Sequence, residues 1–325
     1  IENVTGQSWE NVIQTRILSA IGMDRSFPTL ARMAASKDIN TSQAHFVIDG
    51  KRHRIAESPV DAVPAAGAAW STATDTAKWM AFLLNDGCVG NKRLVSSKNL
   101  NRMLRPQVMV PPEEFYPTAA LTEPHWTSYG YGWFQQDYRG RFVAMHTGSM
   151  DGRTAIVGLM PDEKLGVYLF GNLDHAEFRH ALMWKVFDMY TGAPDRDWSR
   201  EFLTLYADLK AKADAQEAEQ VKSRVPNTKP SQALTAYAGT YRNPVYGDVS
   251  VAYRNGALHF AFGPMPENSG ILTHWHYDRF RSKLGDGRYG AMDLMFQTGA
   301  SGKIRALRLF DDGSDTFEFI RVASP

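Results

Sequence analysis

The stretch SYGYGWFQQDYRGRFVAMHTGSMDGRTAIVGLMPDEKLGVYLFG, residues 128–171, decides the fold class. Three of its runs read as strands separated by turn residues: Tyr129 to Gln135, Phe142 to Thr147 and Thr154 to Met160. The turn at Tyr138-Arg139-Gly140-Arg141 and the glycine-rich link after Thr147 are short enough to reverse the chain, and Pro161-Asp162-Glu163-Lys164 leads into a fourth run, Leu165 to Gly171. Short reversals between neighbouring strands give an antiparallel meander. Helical patterns flank it at residues 72 to 86 and 175 to 191, and helices laid on a sheet face give an α+β layered domain.

Upstream, Ile1-Glu2-Asn3-Val4-Thr5-Gly6 reads as the tail of a helix, so the start is read as a cut. Ser8 then caps a helix whose apolar face carries Trp9, Val12, Ile13, Ile17 and Ala20 and which stops at Gly22. A hairpin is expected over His45 to Ile55 around Asp49-Gly50. Thr72-x-x-Asp75 opens a helix with Ala73, Ala77, Met80, Ala81 and Leu84 on one side and Gly87 as its stop. A short helix follows Ser96 or Ser97, and the proline-punctuated loop at 106 to 127 is long enough to border a site.

Downstream, residues 200 to 224 form a charged helix with i,i+4 pairs Asp208/Lys212 and Lys210/Asp214. Pro226 and Pro230 punctuate its end, and a strand-rich domain begins near Ser231. Its clearest element is a hairpin in which Val249, Val251 and Tyr253 alternate, Asn255-Gly256 turns, and Leu258, Phe260 and Phe262 alternate back. Further strands at about 271 to 282, 291 to 297, 303 to 310 and 316 to 322, divided by Gly285-Asp286-Gly287, Ser301-Gly302 and Asp312-Gly313, predict a small barrel or sandwich. The division expected is an α+β domain at 1–195, a helical linker at 196–230 and a β-domain at 231–325.

The chain has 325 residues, of which 43% are hydrophobic and 22% charged, the composition of an ordinary globular protein. Its 36 basic residues nearly cancel its 35 acidic ones, so no overall field draws it to nucleic acid. Cys88 is the only cysteine, which excludes an intrachain disulfide and a cysteine zinc cage. No run approaches the ~18 apolar residues that span a bilayer.

Chemistry concentrates at Met145-His146-Thr147-Gly148-Ser149-Met150-Asp151-Gly152. A strand that turns glycine-rich after a histidine lets a ligand approach closely, offers a donor in the imidazole, and presents N–H groups to a developing oxyanion. His146-Thr147-Gly148 resembles the third motif of serine β-lactamases and penicillin-binding proteins, K-T-G in many members and H-x-G in the D-aminopeptidase and esterase branches. Val4-Thr5-Gly6-Gln7-Ser8-Trp9 with Arg16-Ile17 and Ile21-Gly22-Met23 looks like the family's segment after its second motif. Pro64-Ala65-Ala66-Gly67 with Ser71-Thr72-Ala73-Thr74-Asp75 resembles its glycine turn and capped helix, and Tyr129-Gly130-Tyr131-Gly132-Trp133 the strand before the third motif. The resemblance covers about residues 1 to 190, and Leu234 to Tyr241 with the strands after it resembles the lipocalin-like domain often appended to such hydrolases.

In that family the serine of S-x-x-K attacks the carbonyl while its lysine and the tyrosine of Y-x-N manage protons. No S-x-x-K and no G-x-S-x-G occurs in the 325 residues. Tyr241-Arg242-Asn243, Tyr253-Arg254-Asn255 and Ser97-Lys98-Asn99 look like the second motif, but two lie beside turns of the C-terminal strands and one fits a helix start. The resemblance implies that His146 takes the place of the third-motif cation, Thr147 lines the strand edge, Gly148 permits close approach and the Ser149 N–H is one oxyanion donor. Having His in place of Lys makes that charge pH-dependent and favours esterase or peptidase chemistry over β-lactam turnover. His274 and His276 share a strand face without an evident carboxylate or cysteine partner, His175 and His180 read as surface or core residues, and Tyr129, Tyr131 and Trp133 as core.

The function expected is a serine hydrolase acting through an acyl-enzyme on an amide or ester, such as a D-amino-acid peptide, an ester or a β-lactam-like compound. Its nucleophile segment is expected outside this chain, which is expected to be inactive alone. The rival readings are a non-catalytic penicillin-binding-like recognition or sensing protein and, for the β-domain, a small-ligand binder. The partner implied is a small-molecule or peptide substrate, no cofactor is implied, and family habit suggests a periplasmic or secreted location.

Overall fold

The computed structural model describes residues 1–263, 268–285, 288, 290–310 and 316–322. Asp286 and Gly287 of one expected turn and the whole of Asp312-Gly313 lie outside the described residues. The chain divides into two compact units, Ile1–Asp208 and Leu209–Pro325.

The first unit opens with α1 (Glu2–Thr5), which ends on Gly6 in the left-handed region. Ser8 accepts from Asn11 N and caps α2 (Trp9–Ile13), which continues through a π-helical segment, Gln14–Leu18, into α3 (Ser19–Ile21), stopped by Gly22. After α4 (Leu30–Ala35) comes the expected hairpin, β1 (His45–Ile48) and β2 (Lys51–Arg54), with Asp49 and Gly50 both at positive φ as its two-residue turn requires. The short α5 (Pro64–Gly67) precedes α6 (Ala73–Leu84), which Thr72 caps by accepting from Asp75 N. A small ladder, β3 (Cys88–Val89) with β4 (Lys92–Arg93), and α7 (Ser97–Leu104), capped by Ser96, complete this part.

The central sheet has six antiparallel strands, ordered β10-β9-β8-β7-β6-β5, where β5 is Val108–Met109, β6 Thr127–Tyr129, β7 Phe134–Tyr138, β8 Arg141–Met150, β9 Arg153–Met160 and β10 Leu165–Gly171. One expectation fails here. Tyr129 to Gln135 is not a single strand but the corner of a hairpin, with Tyr129 paired to Phe134 and residues 130–133 forming the turn. The Gly130 N–H closes this turn on the Trp133 carbonyl at 2.7 Å and Gly132 takes a positive φ, while α7 and its exit pack directly on the bend, since a Cβ on Gly130 would lie 2.9 Å from both the Arg105 and Met103 carbonyls. Trp133 leaves the sheet to stack on Trp79 of α6 at 5.7 Å. Tyr131 is exposed and Trp133 buried, so the three aromatic residues do not act as one cluster.

Side chains alternate across the sheet. Val143, Met145, Ile156, Met160 and Val167 pack on the side of α9 (Phe178–Thr191) with Met183, Trp184 and Phe187. Ala144, Val157 and Leu159 pack on the opposite side with Phe82 and Leu83 of α6. Gly158 marks the closest approach of α9, because a Cβ there would come within 2.9 Å of Phe187 and closer still to Met183. A short helix, α8 (Ala119–Thr122), lies within the proline-rich loop. Beyond α9, Asp188 is buried and accepts from Tyr138 OH at 2.6 Å and from the Trp198 indole at 2.7 Å. Trp198 begins α10 (Trp198–Lys222), the charged helix, on which Lys210 and Asp214 pair at 2.7 Å.

The second unit holds a closed antiparallel barrel of eight strands: β11 (Gly239–Asn243), β12 (Gly247–Arg254), β13 (Ala257–Phe262), β14 (Ser269–His276), β15 (Arg279–Lys283), β16 (Ala291–Thr298), β17 (Ile304–Phe310) and β18 (Thr316–Arg321). Closure comes from β11 pairing with β18, Tyr241 opposite Arg321. The expected run at 271 to 282 is two strands, because the chain reverses at Tyr277-Asp278, where Asp278 accepts from Ser231 N and from the hydroxyls of Ser231 and Tyr237. The alternation read in the β12–β13 hairpin is borne out: Val249 faces Phe262, Val251 faces Phe260, and Asn255-Gly256 supplies two positive φ angles. Inside, Tyr237, Tyr241, Phe260, Phe280, Leu294, Phe296, Leu307 and Phe319 are buried in one cluster, so side chains fill the described interior. His274 Nε2 meets the Tyr277 carbonyl at 2.9 Å, and His276 Nδ1 accepts from Val225 N at 3.1 Å; a β-bulge between them breaks their common register.

Candidate functional site

Strand β8 is longer than its expected end at Thr147, and its two edges differ. On one side it pairs with β9 through to its end, from Ala144 opposite Leu159 to Met150 opposite Arg153. On the other it pairs with β7 only from Arg141 to Met145, where Phe134 is the last partner. Residues His146 to Met150 therefore run past β7. Backbone groups of an antiparallel strand alternate between its two edges, and the Thr147 carbonyl already points away from β9, accepting from Tyr116 OH at 3.3 Å. The Ser149 N–H, two residues on, faces the same side.

The four residues singled out from sequence are thus consecutive on one strand but divide between two faces. His146 and Gly148 are exposed on the α6 face. A Cβ on Gly148 would meet nothing within 4 Å, and its cross-strand neighbour is the small Ala155, so this part of the face is a shallow trough. Thr147 is buried on the α9 face, where its hydroxyl donates to the Ala155 carbonyl at 3.1 Å and accepts from Arg179 Nε at 2.8 Å. Ser149 is half-buried opposite Thr154.

The His146 ring stands 6.0 Å from Phe134 and 6.5 Å from Tyr129. Desolvation holds its imidazole below the ordinary histidine value, and the Gly132 backbone acts in the opposite direction. Near neutral pH it is a neutral donor and acceptor, not a fixed cation.

Beside the strand end lies a cavity of about 680 Å³ lined by His146 to Asp151, Trp70, Phe170 and residues from the 25–73 region. Its wall is tied to the β8–β9 turn. Arg153 forms a forked ion pair with Glu57, with one N–O distance of 2.8 Å, donates to the Ser42 carbonyl at 2.6 Å, and lies 4.6 Å from the centre of the Trp70 ring. Ser58 donates to Asp151 at 2.8 Å. Gly152 is at positive φ, and a Cβ on it would lie 2.7 Å from Ala44 and from His45 N, so only glycine lets the turn press against this wall.

Two neighbours escaped the sequence reading. Tyr116 sits in the proline-rich loop that was expected to border a site; burial pushes its phenol pKa up, which keeps it a hydrogen-bond donor. Arg179 is buried in α9 with Glu177 3.5 Å away, and nothing in a helical arginine announces a contact with a strand threonine 32 residues earlier. Next to it His180 is fully buried, with neither ring nitrogen hydrogen-bonded, and its pKa is lowered to about 3 by desolvation and by the charge of Arg179. His175, by contrast, is exposed and paired with Asp174. Among the described residues no group of three histidine, cysteine, aspartate or glutamate side chains is placed to hold a metal, and no helix is long and apolar enough to cross a membrane.

Comparison with known proteins adds the following. The unguisins hydrolase ungD of Aspergillus violaceofuscus (strain CBS 115571) is 26% identical over 287 residues, covering 80% of this chain and 48% of that protein. The unguisins hydrolase ungD' of Aspergillus campestris (strain IBT 28561) is 23% identical over 260 residues, covering 78% and 47%. The chain spans about half the length of these relatives. The structure of the octameric penicillin-binding protein homologue from Pyrococcus abyssi is similar with a TM-score of 0.49 at 18% identity, covering 98% of this chain and 61% of that one. Residues 223–321 match a domain of unknown function, DUF3471. Residues 1–186, with the six-stranded sheet, its flanking helices and the strand end just described, match the Beta-lactamase family, and the chain belongs to that family.

Proposed function

We propose that the chain forms one wall of the active site of a serine hydrolase that cleaves an amide or ester through an acyl-enzyme. The observation that carries this reading is the edge of β8 from His146 to Met150, which leaves β7 behind and ends at a cavity. An extended substrate segment fits such an edge as an added strand, and Gly148 leaves room for its backbone. In this reading the Ser149 N–H points at the oxygen that becomes negative when the carbonyl is attacked, a preorganised donor of the kind that stabilises an oxyanion. Neutral His146 accepts or donates a proton at the substrate or at the acid–base pair that activates the serine. Arg179 holds the Thr147 hydroxyl from the α9 face and Tyr116 donates to the Thr147 carbonyl on the open edge itself, which together fix the direction of the Ser149 N–H.

The serine itself is assigned to a segment outside these 325 residues, since no S-x-x-K or G-x-S-x-G occurs among them. That both relatives are named as hydrolases supports the reaction class. The test is to express the chain with the segment that precedes it in its gene, and to measure labelling by a fluorophosphonate and hydrolysis of p-nitrophenyl esters and D-amino-acid amides. Labelling of the extended protein but not of residues 1–325 alone, with turnover reduced at least tenfold by His146→Ala, is the expected result. An extended protein that binds substrate without acylating would make this a recognition protein on a hydrolase fold.

A further inference from the structure

We propose that the β1–β2 hairpin is an arm that receives an anionic portion of the substrate, so that the preferred substrate is a peptide or similar chain carrying negative charge away from the scissile bond. The inference rests on the hydrolase reading. Lys51, Arg52, His53 and Arg54 follow one another along β2, and all four are exposed. Consecutive strand residues point to opposite faces, so this hairpin is basic on both of them. Among the described residues, no acidic side chain lies within 4.0 Å of any of the four, whereas the basic residues at the cavity wall, Arg25 and Arg153, are paired with Asp38 and Glu57. A basic strand with no internal counterion attracts an external one.

Placement connects this arm to the cavity. His45 N donates to the Gly152 carbonyl at 3.2 Å and Asp174 N to the His45 carbonyl at 3.0 Å, so the stem is fixed to the turn that follows the His146–Gly148 strand. Ser42 and Glu57, just before and just after the hairpin, both line the cavity, and Arg153 clamps both. A ligand that lies along the β8 edge and leaves the cavity past Ser42 or Glu57 meets β2 next. The apex argues against a lipid surface: Asp49 sits in the turn and would lead with a carboxylate into an anionic bilayer.

The experiment uses residues 1–325 and needs no turnover. Fluorescence anisotropy with fluorescein-labelled hexaglutamate and hexaglutamine separates charge from length, at low and physiological salt. Hexaglutamate is expected to bind and hexaglutamine not, and the triple substitution Lys51→Ser, Arg52→Ser, Arg54→Ser is expected to weaken binding about tenfold, since three exposed charges are lost. All three side chains are exposed, so an unchanged melting temperature verifies the fold of the variant. Amide hydrogen exchange should show hexaglutamate protecting residues 51–54 together with Ser42, Glu57 and Gly148 to Met150. Equal binding of the two peptides, indifference to the triple substitution, or protection that stops short of the cavity each overturn the proposal. Co-sedimentation with phosphatidylglycerol vesicles without hexaglutamate binding overturns it in favour of a membrane role. An extended protein, carrying the segment that supplies the serine, that binds hexaglutamate this way but never acylates would refute the hydrolase reading and leave the arm intact.

Discussion

The two units of this chain treat their backbone edges in opposite ways. The barrel closes on itself, with β11 against β18, and fills its described interior with aromatic and branched side chains. The six-stranded sheet leaves β10 as an edge and lets half of β8 run past its neighbour. A closed and filled barrel has no unpaired strand edge to offer a ligand, whereas an open edge beside a cavity has both hydrogen-bonding groups and room. The proposed recognition chemistry belongs with the open edge of the first unit, whereas the barrel buries fifteen core side chains in one cluster. That filling weighs against reading the β-domain as a small-ligand binder.

The comparison can be broken at several points. The largest effect is expected in the barrel: Phe280 is 1% exposed and packs within 5.6 Å of Tyr237, Phe296 and His274, so Phe280→Ala should cost about 3–5 kcal/mol. Urea unfolding of the whole chain followed by aromatic circular dichroism measures this, and a loss below 1 kcal/mol would mean a looser interior than described. Next comes Gly158→Ala, whose new methyl meets Met183 and Phe187 and should cost about 1–3 kcal/mol by overpacking.

Acid should then distinguish the units. Because the folded pKa of His180 is depressed from 6.5 to about 3, the unfolded chain takes up a proton that the fold refuses. Stability from this group is fully present above about pH 6.5 and falls by up to about 1.4 kcal/mol per pH unit as pH drops toward 3. Denaturation followed at pH 7 and pH 5 should show the first unit weakening before the barrel, and His180→Leu should flatten that slope. Loss of both units together would remove the distinction. The smallest effect is Gly148→Ala: open space surrounds the position, so stability should change by less than about 0.5 kcal/mol. Substrate binding should nevertheless weaken, and unchanged affinity would detach the trough from the proposed function.

What was legible in the sequence followed the range of the forces involved. Caps are local hydrogen bonds between a side chain and an amide three residues on, so Ser8, Thr72 and Ser96 could be read directly. Two-residue turns demand particular φ angles, and Asp49-Gly50 and Asn255-Gly256 announce them. The strand pattern of residues 128–171 gave the meander because alternation survives wherever one face is buried. Alternation failed at Gly130 to Trp133, where the Gly130 N–H closes a turn on the Trp133 carbonyl, and, in the barrel, at Tyr277-Asp278, where the reversal is held by the side chains of Ser231 and Tyr237. The site was legible as a motif but not as a place. His146 to Ser149 could be named from spacing and resemblance, whereas their division between two faces, the departure of β7 and the buried support from Arg179 are tertiary facts. Neither Tyr116 nor Arg179 carries a local signature, since each acts on a residue about thirty positions away.

Strand β10 has a practical consequence. Its seven residues, Leu165-Gly166-Val167-Tyr168-Leu169-Phe170-Gly171, carry no charge, and among the described residues they pair with β9 alone. Lysine and proline commonly guard such rims against a second molecule, and neither occurs within this one. Shelf life and crystallisation behaviour at high concentration should therefore be governed by this rim, where Phe170 is 49% exposed.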